Sequence, residues 1–245
     1  MMTPRERVES VLLRRGADRV PFTVYREMLP QCETERRLRN EGLCILEGCA
    51  VQRTETPDVT RTVTHYWEHG VRKVRTDLRT PYGDLYRVDV PVAIDAPSAT
   101  TLWYEQHLFK SPQDYKAIEF EIRNRVHIPS YETCLQVQQM AGGDVILRAN
   151  VGYEPLQEII IEIMGLETFS IEWAENRDLV LKLHDALVED RRKLYPLVAQ
   201  SPLLHANYGG NIVPEVLGVE RFARYVLPQY QEFAEAMHRH GKLAG

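Results

Sequence analysis

Long apolar runs are missing from this sequence. Nothing approaches the ~20 residues that a membrane-spanning helix needs, so no membrane partner is expected. Cysteine is scarce. The four residues Cys32, Cys44, Cys49 and Cys134 form no CxxC pair and no zinc-ribbon spacing, which excludes a disulfide scaffold. With no signal-peptide pattern over Met1–Val11, this predicts a reducing, cytoplasmic setting. A basic excess is also missing. Lys and Arg total 30 against 35 Asp and Glu, a net charge of −5, which argues against a dedicated nucleic-acid binder. No Gly-rich phosphate loop of the GxGxxG or Walker type follows a predicted strand, so a nucleotide-binding open sheet loses support. What is present is an ordinary globular composition, 44% hydrophobic over 245 residues, enough for a full core.

The pattern along the chain alternates short apolar runs with long amphipathic ones. Thr3-Pro4-Arg5-Glu6 is a capping box with Pro at the first helical position, and Gly16 ends the segment. Strands are predicted at Val20–Tyr25, Leu43–Leu46 and Val145–Ala149, with another beginning at Leu203-Leu204 and running to about Ala206. Helices are predicted over Glu33–Glu41, Pro155–Met164 and about Asn176–Gln200, and over Glu220–His240 with a bend at Pro228. Lys242-Leu243-Ala244 reads as the start of a further strand. Between Thr60 and Val90 the texture changes to period-two alternation with turns at His69-Gly70 and Tyr82-Gly83-Asp84. This predicts a three-stranded antiparallel meander inserted into the βα pattern.

Four complete strand-then-helix units and the beginning of a fifth give an α/β class with a parallel sheet, either open and doubly wound or part of a (β/α)8 barrel. Since a barrel needs eight such units, the expectation is a single domain over 1–245 that carries the N-terminal part of a barrel.

In such folds the working residues stand where strands end. That rule selects four clusters: Tyr25, Arg26 and Glu27; Glu47; Arg148, Asn150 and Tyr153; and Asn207, Tyr208 and Asn211. Arg148 and Asn150 share parity with Ile146 and so can face one side together. A half-buried Arg must be paired or meet an anion, and Glu154 is the structural alternative as its partner. His205 shares parity with Asn207 and either lines the same face or sits satisfied in the core. Gly209-Gly210-Asn211 either lets a ligand approach the backbone or is a plain turn. His65-Tyr66-Trp67-Glu68-His69 matches the HxxEH motif of zinc peptidases, but that chemistry needs a helix and the alternation here favours a strand.

The openings Met2-Thr3-Pro4-Arg5-Glu6-Arg7-Val8 and Asp18-Arg19-Val20-Pro21-Phe22 resemble the uroporphyrinogen decarboxylase superfamily. So do Thr80-Pro81-Tyr82-Gly83-Asp84-Leu85, Asn207–Pro214 and Phe222–Tyr230, in the family's order along nearly the whole chain. The resemblance implies a (β/α)8 barrel whose members continue past the equivalent of Gly245. It implies one of two chemistries: decarboxylation of uroporphyrinogen, or methyl transfer between a corrinoid and a thiol, the latter with a zinc-bound thiolate. Arg26 matches the first of two decarboxylase arginines while the second is missing. Glu47 stands near an expected aspartate, Asn207 replaces a serine, and an expected tyrosine falls near Ile161. These departures turn the expectation towards corrinoid-linked methyl transfer in the full-length protein. Uroporphyrinogen decarboxylation and a non-catalytic tetrapyrrole- or protein-binding remnant are the alternatives. Catalytic roles fall to Glu47, Asn207 and Tyr208. Substrate binding falls to Tyr25, Arg26, Glu27, Arg148, Asn150, Tyr153 and Asn211. The partner would be a tetrapyrrole or a corrinoid, free or on a corrinoid protein, and exposed strand edges would favour self-association. No His-x-Cys occurs, so no metal ligands are expected within this chain and any zinc would belong to the full-length protein.

Overall fold

The computed structural model describes residues 1–91 and 103–245. Five strands form one parallel sheet: β1 (Phe22–Tyr25), β2 (Leu43–Cys49), β9 (Val145–Tyr153), β10 (His205–Gly209) and β11 (Leu243–Ala244). They pair in that order, each strand beside the next of the set in the chain. A doubly wound sheet would reverse its order at a switch point, and this one does not. The four predicted strands are therefore present, with β9 running four residues beyond its predicted end, and Lys242-Leu243-Ala244 does begin a fifth at Leu243.

The order decides where the helices lie. Right-handed crossovers between neighbouring parallel strands place every connecting helix on the same face. On that face Leu43, Ile45, Val145, Leu147, Ala149 and Ala206 pack against Cys134, Val198 and Phe233. These belong to the helices Glu132–Met140, Arg177–Gln200 and Leu227–His238. Each fully buried Leu or Ile contributes roughly 1.5–3 kcal/mol. The opposite face carries the other parity. Near the strand starts, Cys44 and Ile146 are capped by Val8 of the helix Pro4–Leu12. Thr3 and Glu6 close the predicted capping box on that helix.

The excursion between β2 and β9 contains the meander as expected, β4 (Thr60–Glu68), β5 (Val71–Thr80) and β6 (Gly83–Val90), and adds β7 (Trp103–Gln106) as a fourth antiparallel strand. His65 and His69 therefore lie on a strand and its turn, not on one helical turn, and the peptidase motif has no support. A short ladder of β3 (Gln52–Glu55) with β8 (Val126–Pro129) was not anticipated. Two predicted helices widen into π-helical turns, Ile159–Met164 and Phe222–Val226. The second lies just before Pro228, whose missing N–H interrupts the regular hydrogen-bond ladder at the predicted bend.

Cys49, at the end of β2, is bonded to Cys134 on the helix Glu132–Met140, with the Cα atoms 6.0 Å apart. No pairing among the four cysteines was read from the sequence. Residues 85 positions apart gave no local spacing from which to read the pair. No helix among the described residues is long and apolar enough to cross a membrane.

Candidate functional site

The helix-free face becomes polar towards the strand ends. In register, Tyr25 lies beside Leu46 and Ile146, Gly48 beside Arg148, and Asn150 beside Asn207. Arg148 and Asn150 thus share one face, as their parity with Ile146 predicts, and Tyr25, Asn207 and His205 lie on the same face. Arg148 Nη1 donates to Tyr25 Oη at 3.4 Å, and its guanidinium carbon stands 4.8 Å from the centre of the tyrosine ring. Glu154 does not pair with Arg148. It is buried, and its Oε2 accepts from the Leu156 and Gln157 amides at the start of a helix. Arg148 Nε and His205 Nδ1 are buried without a hydrogen-bond partner among the described residues. Burial and the neighbouring Arg148 hold the His205 imidazole below its ordinary pKa, so it is neutral at pH 7. Unsatisfied nitrogens, an arginine and two amides on one open face suit an anionic, hydrogen-bonding ligand.

Other predicted residues lie elsewhere. Glu47 follows Leu46 by one position, so strand alternation turns it to the helix face. There it takes both Nε and Nη2 of Arg26, at 3.2 and 3.1 Å, in a groove between the helices Glu33–Asn40 and Glu132–Met140. The pair stands on the opposite face from Arg148 and Asn150, so the structure does not bring Glu47 and Arg26 together with them. Tyr208 is likewise turned inward, within an aromatic cluster with Tyr195, Tyr230 and Phe233. Burial drives its phenol well above the ordinary range, and it does not join the polar face. Glu27 and Asn211 are exposed, and neither joins the polar face. The Asn211 amide donates to Gln157 Oε1. Tyr230 Oη fills the space beside Gly210, so the glycine pair accommodates the protein's own side chain.

Tyr153 joins a different set, which the sequence did not reveal. Arg125 pairs with Glu121, Glu158 and Asp190, while Arg191 pairs with Glu158 and Asp190. His127 Nε2 sits 2.8 Å from Asp190 Oδ1, and its Nδ1 meets Thr54 Oγ1. Burial opposes ionisation of Asp190, but its bond to His127 and the charge of Arg125 outweigh it and hold the carboxyl low. These residues come from six separate elements, with Arg125 in the connection that leads into β8. The one sequence signal was charge at positions such as Glu158 and Asp190, which helical periodicity turns towards the core.

Among the described residues no group of three or more His, Cys, Asp or Glu side chains is placed to hold a metal ion. Cys44 is buried, with its thiol pushed up to about 11 chiefly by that burial, and it lacks ligand neighbours. These residues do not fit the zinc site that the resemblance implies. Comparison with protein-family models, with curated proteins and with solved structures finds no match for this chain.

Proposed function

We propose that the five ordered parallel strands are the first five of a (β/α)8 barrel of the uroporphyrinogen decarboxylase type, and that its polar strand ends bind a tetrapyrrole-like macrocycle. The single observation that carries this reading is the face itself. A sheet that never reverses its order keeps its helices on one side and presents Tyr25, Arg148, Asn150, His205 and Asn207 on the other. In a barrel that face is the interior and its strand ends are the active-site rim. Arg148 would hold a carboxylate or amide oxygen of the macrocycle, while Asn150 and Asn207 would donate and accept along its edge.

Corrinoid-linked methyl transfer to a thiol is the activity this reading favours. Uroporphyrinogen decarboxylation needs free arginines to hold substrate carboxylates, and Arg26, the matching one, is held by Glu47 on the other side of the sheet. No zinc-dependent step is assigned to this chain. The cytoplasmic setting read from the sequence belongs to the same proposal but stands against the Cys49–Cys134 bond; thiol labelling in intact cells decides it, since labelled Cys49 and Cys134 support a reducing setting and a pair that resists labelling overturns it.

Titration of the purified chain with hydroxocobalamin and, separately, with uroporphyrin tests the reading, followed by tryptophan quenching. Saturable corrinoid binding that weakens at least tenfold in Arg148→Gln and in Asn150→Ala supports it. Tighter uroporphyrin binding would favour the decarboxylase alternative. Binding of neither, or binding indifferent to both substitutions, would overturn the assignment of this face. Corrinoid binding without methyl transfer from methylcobalamin to a thiol by the full-length protein would leave a non-catalytic binder.

A further inference from the structure

A second cavity, of about 520 Å³, lies on the helix side of the sheet. The antiparallel sheet roofs it, the β3–β8 ladder and the long helix Arg177–Gln200 wall it, and the end of β9 closes it with Tyr153. A narrow extension of about 60 Å³ shares Arg61, Arg87, Glu121, Arg125, Glu158 and Glu162 with it.

The charges around it are unevenly matched. Arg125 and Arg191 are committed to the buried ion network described above. Arg61 and Arg87, from β4 and β6, are less tightly held. Arg61 comes no nearer than 3.9 Å to Glu121. Arg87 Nε is 3.2 Å from Asp89 Oδ2 yet is buried without an aligned hydrogen bond. Across from them stands Glu162, on the π-helical turn Ile159–Met164, whose side chain has no hydrogen-bond or ion-pair partner among the described residues. A wide turn of this kind displaces one residue from the regular ladder and recurs at ligand sites. Burial, helped by the negative charge of Glu158, raises the Glu162 carboxyl above the ordinary carboxylate range, against the pull of Arg87, Arg191 and Arg125.

We propose that this cavity binds a small organic monocarboxylate, with Arg61 and Arg87 gripping the carboxylate. A singly charged carboxylate suits the site better than a phosphate, because Glu121, Glu158 and Glu162 line the same space and repel a dianion. The site is independent of the polar strand-end face, because Arg148, Asn150 and Asn207 point to the other side of the sheet.

Calorimetric titration of the purified chain with butyrate, a monocarboxylate, and with inorganic phosphate as comparator, tests the proposal. The expected result is saturable butyrate binding with one site per chain, and phosphate at least tenfold weaker. Arg87→Gln should weaken butyrate at least tenfold and Arg61→Gln at least threefold. Glu162→Gln should bind butyrate at least as tightly, since it removes an acid that faces the anion. Arg148→Gln should leave butyrate binding unchanged, which separates this result from failure of the macrocycle reading. If Arg87→Gln does not fold, Arg87→Lys, which keeps the charge but loses the fork, should weaken binding instead. Absence of saturable butyrate binding would overturn the proposal. So would phosphate binding more tightly, unchanged affinity in a folded Arg87 variant, or a tenfold loss in Glu162→Gln.

Discussion

The side-chain amide of Asn150 occupies the space that a β-carbon on Gly48 would need: such a carbon would stand 2.3 Å from Asn150 Nδ2. Strand β2 is bare where β9 leans its amide across, and that bareness sets the direction in which Asn150 points. Gly48→Ala should therefore displace the Asn150 side chain and weaken corrinoid binding severalfold. Stability should change by less than about 1 kcal/mol, because the group that must move is the end of a flexible side chain. A crystal structure of the variant with Asn150 unmoved would contradict this.

The Arg26–Glu47 pair is about 30% exposed on both sides, 31% and 29%. Partly solvated pairs are screened, so a double-mutant cycle of Arg26→Met and Glu47→Gln, read by urea unfolding, should give a coupling of about 0.2–1 kcal/mol. Arg26→Lys should leave corrinoid affinity unchanged, since this arginine does not reach the polar face.

Asp190 is the hinge of the buried ion network. Asp190→Asn removes the charge that holds Arg125, Arg191 and His127 and leaves cations short of a partner. The expected cost is about 3–5 kcal/mol, against less than about 1 kcal/mol for the exposed Glu232→Gln beside Arg192. Thermal melts of the two variants side by side check the contrast.

Glu154 titrates in the opposite sense to a paired acid. Burial raises its carboxyl to about 7, only partly offset by the two helix amides it accepts. The folded chain then holds a proton between about pH 4.5 and pH 7 that the unfolded chain has released, so this group's contribution falls as pH rises through that window. Relative to Glu154→Gln, the wild-type protein should lose about 2–3 kcal/mol between pH 4.5 and pH 8. A pH-independent difference between the two in denaturant midpoints would show that the group is not buried in solution.

Much of this was legible one strand at a time. Apolar runs at Leu43 and Val145 marked buried strands, and the parity of Ile146, Arg148 and Asn150 placed two site residues on one face. The same parity, applied to Glu47 and Tyr208, would have turned both away, since each follows a residue of the polar face by one position. Nearness to a strand end was given more weight there than alternation. The ion network, the Cys49–Cys134 bond and the β3–β8 ladder depend on residues about 35 to 85 positions apart meeting in space. No local period encodes such meetings, and the charges of Glu158, Asp190 and Arg191 looked like ordinary helix charges until their burial was seen.

The Cys49–Cys134 bond turns everything between its two sulfurs into a side branch. The antiparallel sheet and the β3–β8 ladder both lie within that covalent ring, while the parallel strands β1, β2, β9, β10 and β11 lie on the direct path through it. Pulled from its two ends, the oxidised chain would carry tension from Cys49 straight to Cys134, and the enclosed stretch would bear no load. At ~3.4 Å per extended residue, the 85-residue separation withholds about 290 Å of contour length until the bond is reduced. Single-molecule stretching with and without a reductant should show that difference in final length.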